Sequence, residues 1–232
     1  MSTQEEIHKK TLSTNIRERK EAAKQLCTIF PILPDQTQAW EDLHRLIQDP
    51  NSEVRATIAY NIAYAFPLIS DKNQAWQDLH QLTQDKESEV RINATKSLGE
   101  IKDTRTLEYL TQALNDKDKY VRELAVNTLH KKKDSTVTEP LIQALKQNNY
   151  PYVRALAALT LGETKDPKAV EPLTQALKKD KDKIVRICTV IALANLADEK
   201  AVETLTQALK DEDSNIRLFA VYSANKGTQN KE

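Results

Sequence analysis

Three histidines, His8, His44 and His80, recur at intervals of 36 residues. Neutral imidazoles are ligands for zinc or iron and general bases near neutral pH. Their spacing argues against a shared metal. Equivalent helices of successive repeats lie roughly 10 Å apart, whereas nitrogens bound about 2.0–2.1 Å from one zinc must lie within about 4 Å of each other. A ladder of surface or edge histidines is the reading that fits, and His130 lies on another element and adds no ligand. Cys27 and Cys188 fall in repeats at opposite ends of the chain, so both are expected as reduced, packed thiols with no disulfide. Trp40 and Trp76 could stack on a base or a ligand, yet each shares an apolar helical stripe with Leu43 or Leu79, which points to core packing. Lys131, Lys132 and Lys133 form the one tight basic run and close a helix, where cations complement the helix dipole. None of these residues forms a catalytic or cofactor-binding set, so no catalytic, cofactor or metal residue is assigned.

What positions all of them is a repeat. Ser52-Glu53-Val54-Arg55 returns as Ser88-Glu89-Val90-Arg91, Tyr120-Val121-Arg122, Tyr152-Val153-Arg154, Ile184-Val185-Arg186 and Ile216-Arg217. The apolar anchor and its arginine recur at 36, 31, 32, 32 and 31 residues, and such a period marks stacked supersecondary units. With three glycines and abundant Ala, Leu, Lys, Glu and Gln, the composition favours helix over sheet.

Each unit divides into two helices. The first, helix A, reads Trp40, Leu43 and Leu46/Ile47 on one face, and again Trp76 and Leu79. Helix B follows the turn, from Glu53 to about Phe66 with Val54, Ile58, Ile62 and Ala65 buried, and Pro67 stops it as Pro31 stops its predecessor. Capping boxes at Ser2/Glu5 or Thr3/Glu6 start the chain's first helix, and Asp103, Asp134, Asp166 and Asp198 stand where helix caps are needed. In the first repeat Glu18-Arg19 replaces Val54-Arg55, so that repeat reads as degenerate. The chain is expected to be one array over 1–232, with 36-residue repeats to about 98, 31–32-residue repeats from about 99 to 224, and a polar, frayed tail over 225–232.

The unit from Leu161 to Leu177, Leu-Gly-Glu-x-Lys-Asp-Pro-x-Ala-Val-Glu-Pro-Leu-x-x-Ala-Leu, followed by Ile184-Val185-Arg186, resembles the short HEAT-like repeat first associated with phycobilisome lyases. The Trp-containing front resembles a longer variant of it. The resemblance implies an all-α, right-handed α-solenoid of about seven helix pairs, with the B helices lining a concave face that recognises proteins. It also implies that Arg55, Arg91, Arg122, Arg154, Arg186 and Arg217 form a structural ladder, with acceptors at Asp49, Asp85, Asp116, Asn148, Asp180 and Asp211. Deoxyhypusine hydroxylase is built from such repeats and binds iron through His-Glu pairs; this chain has no His-Glu dipeptide.

Counting from each anchor, positions 2, 3, 6 and 10 of helix B face away from the core. They are mostly polar in the third and fourth repeats. In the last three they include Leu156, Leu159, Ile187, Ile191, Phe219 and Tyr222, and in the second Tyr60 and Tyr64. An apolar stripe rimmed by polar residues marks an interaction face, and aromatic residues anchor interfaces. These eight residues are the expected partner-binding set, for a protein or peptide, with self-association through the same stripe as the competitor. A lyase-like or hydroxylase-like enzyme subunit and a groove-type nucleic-acid binder are the alternatives. Lys+Arg and Asp+Glu both number 34, which counts against a polyanion partner. The acidic N-terminus and the lack of a long apolar run point to a cytoplasmic protein with no membrane association.

Overall fold

The structure, a computed structural model, describes residues 3–132, 135–196 and 198–229. Every regular element among them is helical, and the chain packs as two compact units, residues 3–113 with 117–124 and residues 114–116 with 125–229.

In the first unit, α1 (Thr3–Thr11) pairs with α2 (Ile16–Ile29), α3 (Gln36–Ile47) with α4 (Ser52–Ala65), and α5 (Lys72–Thr83) with α6 (Ser88–Glu100), followed by α7 (Thr106–Ala113). Short polar caps set the boundaries. The Asn15 side chain accepts from Arg17 N, Asn51 from Glu53 N and Val54 N, and Asp35 and Asp71 from the third residue after them, each satisfying an otherwise orphaned helix N–H. Pro31 and Pro67 end α2 and α4 by forcing one 3-10 turn each, Phe30–Ile32 and Phe66–Leu68. Even-numbered helices stack on one another, α2 on α4 and α4 on α6, while α1, α3, α5 and α7 form a second layer. Between the layers lie Leu26, Leu43, Ile58, Ile62, Leu79 and Leu98, all fully buried. Each such side chain contributes about 1.5–3 kcal/mol.

α8 (Lys119–Lys132) starts in the first unit and continues in the second. The second unit then holds α9 (Thr138–Gln147) with α10 (Pro151–Thr164), α11 (Val170–Lys179) with α12 (Lys183–Leu196), and α13 (Glu199–Ala208) with α14 (Ser214–Gln229). Here too the B helices stack, α10 on α12 on α14. Asp166 and Asp198 cap as expected, with Pro167 opening a 3-10 turn, and Asp103 does so in the first unit. Ser2, Lys133 and Asp134 lie outside the described residues. Lys165 ends α10 in the left-handed region at φ 57°, a conformation usually left to glycine.

α14 runs through Gln229, and residues 230–232 of the tail lie outside the described residues. One expectation needs correction. Position 2 of helix B was expected to face outward, yet Ala56 and Ala155 are buried there. A helix inside a stacked layer is covered on both flanks, so its open arc is narrower than that of a helix with one neighbour.

Candidate functional site

The arginine after each anchor works in two directions. Arg55 Nη1 donates back to the carbonyls of Asp49 and Pro50, 2.7 and 3.1 Å away, closing the turn of its own repeat. Its Nε and Nη2 donate forward as a fork to Asp85 of the next repeat at 2.6 and 2.9 Å. Arg154 repeats the pattern, backward to Asn148 O and forward to Asp180 at 2.7 and 2.9 Å. Arg186 holds the carbonyls of Asp180 and Lys181 and lies 3.5 Å from Asp211. Arg91 and Arg122 make the backward bonds, to Asp85 O and Lys86 O and to Lys117 O. Guanidinium planarity makes this double use of one side chain achievable.

Arg19, in the repeat read as degenerate, is a full rung. It donates to Ser13 O and Thr14 O and forks Asp49 at 2.6 and 3.0 Å. The turn aspartates are held from behind as well: Asp49, Asp85, Asp180 and Asp211 each accept the backbone N–H two residues on, at 2.9 Å. Burial pushes the Asp85 and Asp180 carboxyls up, but the arginine hydrogen bond, the backbone N–H and the arginine charge outweigh it and hold both below the usual carboxylate range. Asn148 departs from the rule. Its Oδ1 takes the N–H of Tyr150, while its Nδ2 reaches back to Leu114 O at 2.7 Å and Asn115 Oδ1 at 2.9 Å.

The A layer carries a second set of rungs that the sequence did not reveal. His8 Nδ1 lies 2.9 Å from both carboxylate oxygens of Asp42, and His44 Nδ1 lies 2.7 Å from Asp78. Asp42 and Asp78 are buried; Arg45 and Gln74, respectively, supply further donors. At the third position His80 meets Tyr109, whose ring also stacks on Trp76. Trp76 is buried, edge-on to Phe66 and with the Arg105 guanidinium 4.7 Å from its ring, and Trp40 is buried too. Among the described residues, no group of three or more His, Cys, Asp or Glu side chains is placed to hold a metal ion. Cys27 is free and buried, its thiol pushed up to about 12 by burial, and Cys188 is free and half-buried, pushed up by burial and by the Asp182 charge.

The eight stripe residues divide by accessibility. Leu156 and Leu159 on α10 and Ile187 and Ile191 on α12 are half-buried, whereas Phe219 and Tyr222 on α14 are exposed. The helices that carry these six pack in order in the second unit, α10 on α12 and α12 on α14. In the first unit, Tyr60 and Tyr64 on α4 are exposed, with Lys96 Nζ 4.4 Å from the Tyr60 ring. Among the described residues, no helix is long and apolar enough to cross a membrane.

The chain is similar to solved structures across nearly all its length. It is 21% identical to YibA of E. coli, covering 95% of this chain and 80% of that one, with a TM-score of 0.56. An engineered protein is 22% identical, covering 96% and 67%, at 0.52, and human deoxyhypusine hydroxylase, in complex with glycerol, is 17% identical, covering 96% and 83%, at 0.50. At these identities the likeness concerns the fold, an all-α solenoid. No curated protein matches. The family model for HEAT repeats matches residues 43–130, 107–189 and 170–229, and the chain therefore belongs to the HEAT-repeat family.

Proposed function

We propose that this chain is a non-enzymatic adaptor that binds a partner protein or peptide along the B-helix face of residues 125–229, with Tyr60 and Tyr64 as a second contact. HEAT repeats commonly mediate protein interactions. The observation that carries the reading is the graded exposure of the apolar stripe. Leu156, Leu159, Ile187 and Ile191 form a half-buried floor, and Phe219 and Tyr222 stand exposed at its edge. A rigid floor with accessible aromatics is how interface anchors are built.

The test is Phe219→Glu with Tyr222→Glu, two exposed positions whose substitution leaves the core intact. Partner capture from the native cell, quantified against the wild-type chain, is expected to fall at least tenfold with the melting temperature unchanged. Capture at wild-type level, or a collapse in melting temperature, counts against the reading. An enzymatic reading draws on the fold shared with deoxyhypusine hydroxylase alone, and stoichiometric iron or zinc in the purified protein would support it.

A further inference from the structure

The charges of the chain balance overall but not locally. At the turn from helix A to helix B, the acid is flanked by Gln48 and Pro50 in the second repeat and by Gln84 and Lys86 in the third. In the sixth repeat its neighbours are Lys179 and Lys181, with Lys178 beside them, and the fifth brings Lys146 to its own turn. That fifth turn is also where Asn148 stands in place of aspartate, so the charge that would offset the lysines is missing. Asn148 keeps the structural half of the role, its Oδ1 taking the N–H of Tyr150 at 2.9 Å.

The structure gathers these residues. A cleft of about 820 Å³ opens where α9 and α11 end, lined by Lys146, Lys179, Lys181 and Arg154 against a single carboxylate, Asp180. That carboxylate is already engaged, by the Arg154 fork at 2.7 and 2.9 Å and by the N–H of Asp182 at 2.9 Å. Asp182 in turn accepts the N–H of Ile184 at 2.8 Å and caps α12. The acids of the two A helices, Glu139 and Glu171, stand in their first turns at the opposite ends, each taking a glutamine amide. Lys146, Lys179 and Lys181 are exposed and make no ion pair among the described residues. A second cleft of about 590 Å³, between α11 and α13, shares Lys179, Asp180 and Lys181 with the first and adds Lys178 and Lys210. Its further acids, Asp211 and Glu212, lie 3.5 and 3.6 Å from Arg186.

We propose that the two clefts dock an extended acidic segment of a partner protein, with carboxylates at alternate residues meeting Lys146, Lys179 and Lys181. Lysines without partners along one edge raise the local potential and favour an anion of complementary spacing. Leu145, Pro172 and Ala176 line the first cleft beside the amides of Gln147 and Asn149. That mixture suits a peptide, whose backbone needs hydrogen-bond partners and whose side chains need apolar contact. Among the described residues no aromatic side chain lines either cleft, so a nucleic-acid strand finds nothing to stack on. Three A helices roughly 8–10 Å apart cover about 16–20 Å, which an extended chain spans in about six residues at ~3.3 Å each. The clefts share no residue with the apolar stripe of α10, α12 and α14, and the inference does not rest on that surface.

The probe is a fluorescein-labelled peptide of about eight residues, alternating glutamate and valine, titrated with the full chain at low salt and followed by anisotropy. Saturable binding is expected, weakened at least tenfold by Lys179→Glu with Lys181→Glu. Lys86→Glu with Lys117→Glu, which alters turn lysines of the first unit outside the clefts, is expected to change it less than twofold. Phe219→Glu with Tyr222→Glu is expected to leave it unchanged, which separates a failure here from a failure of the stripe. Should the Lys179 and Lys181 variant melt below wild type, because a new carboxylate competes with Asp180 for Arg154, Lys179→Gln with Lys181→Gln is the second variant. It is expected to weaken binding at least threefold at the wild-type melting temperature. The proposal is overturned by an absence of saturable binding, by equal affinity of wild type and both Lys179 and Lys181 variants, or by an equal loss in the Lys86 and Lys117 variant. A single-stranded oligonucleotide of matching charge that binds as tightly as the peptide overturns it too.

Discussion

Gly162 of α10 faces the backbone of Ala192 in α12 so closely that a methyl group on it would lie 2.5 Å from Ala192 Cα and 2.8 Å from Ala192 O. These are backbone atoms, which no rotamer change can move aside. The two helices meet here at the distance that hydrogen alone permits.

Gly162→Ala therefore sets two effects against each other. Alanine favours the helix by about 1 kcal/mol, while forcing α10 and α12 apart costs about 1–3 kcal/mol or more. Since the obstructing atoms are main chain, the clash is expected to win: chemical denaturation should show a net loss of stability, whereas a gain would mean that the junction yields freely.

Arg55→Lys keeps the charge and loses the fork. It cannot hold both Asp49 O and the two oxygens of Asp85, and unfolding free energy is expected to fall by about 1–3 kcal/mol. Arg55→Ala, which leaves Asp85 without its cation, is expected to cost about 3–5 kcal/mol. In a double-mutant cycle, Asp85→Ala should recover part of that cost; strict additivity would mean that the two residues are not coupled.

The ladder also fixes an acid response. Asp85 and Asp180 are held below their ordinary range in the folded chain, so their stabilising contribution is present in full above that range and is lost as pH falls through the folded values, below about pH 4. Denaturation curves from pH 7 to pH 2 should show this loss. Asp85→Asn should be less stable than wild type at pH 7 and converge with it in acid, and parallel curves would refute the assignment.

Asp78→Ala removes a buried acceptor from His44 and Gln74. The expected loss is about 1–3 kcal/mol. His44→Ala should cost less, because the imidazole it removes is partly exposed and Gln74 still serves the carboxylate. The ranking is checked by thermal melts of the two variants.

Thiol labelling should separate the cysteines. Cys27 is fully buried with its thiol pushed up to about 12, so the reactive thiolate is scarce as well as inaccessible. Cys188 is half-buried. A maleimide reagent at neutral pH is expected to modify Cys188 slowly and Cys27 only after unfolding; rapid modification of both would contradict the packing of α2.

The helix pairs and the arginine rungs were legible in the sequence because they repeat in register: an anchor, its arginine and a turn acid recur within each unit. The partnership of His8 with Asp42 was not, because it joins residues 34 apart across neighbouring A helices, and a period of 36 aligns His8 with His44. Arg19 was concealed by Glu18, whose loss of the apolar anchor does not touch what the arginine needs, two turn carbonyls and the acid of the next repeat. Leu156, Leu159, Ile187, Ile191, Phe219 and Tyr222 lie on α10, α12 and α14, and their unequal depth was hidden, since burial of Leu156 and Ile187 depends on how closely the next helix lies.

The forward forks have a consequence for how the chain acquires its structure. Arg19 and Arg55 each reach an aspartate 30 residues away, and Arg154 one 26 residues away. Tertiary bonds that span about one repeat need only a short loop to close, which keeps contact order low and folding fast. Helix pairs along either unit can therefore seed structure and recruit a neighbour by zipping, and translation by a ribosome delivers each arginine roughly one repeat before the acid that locks it.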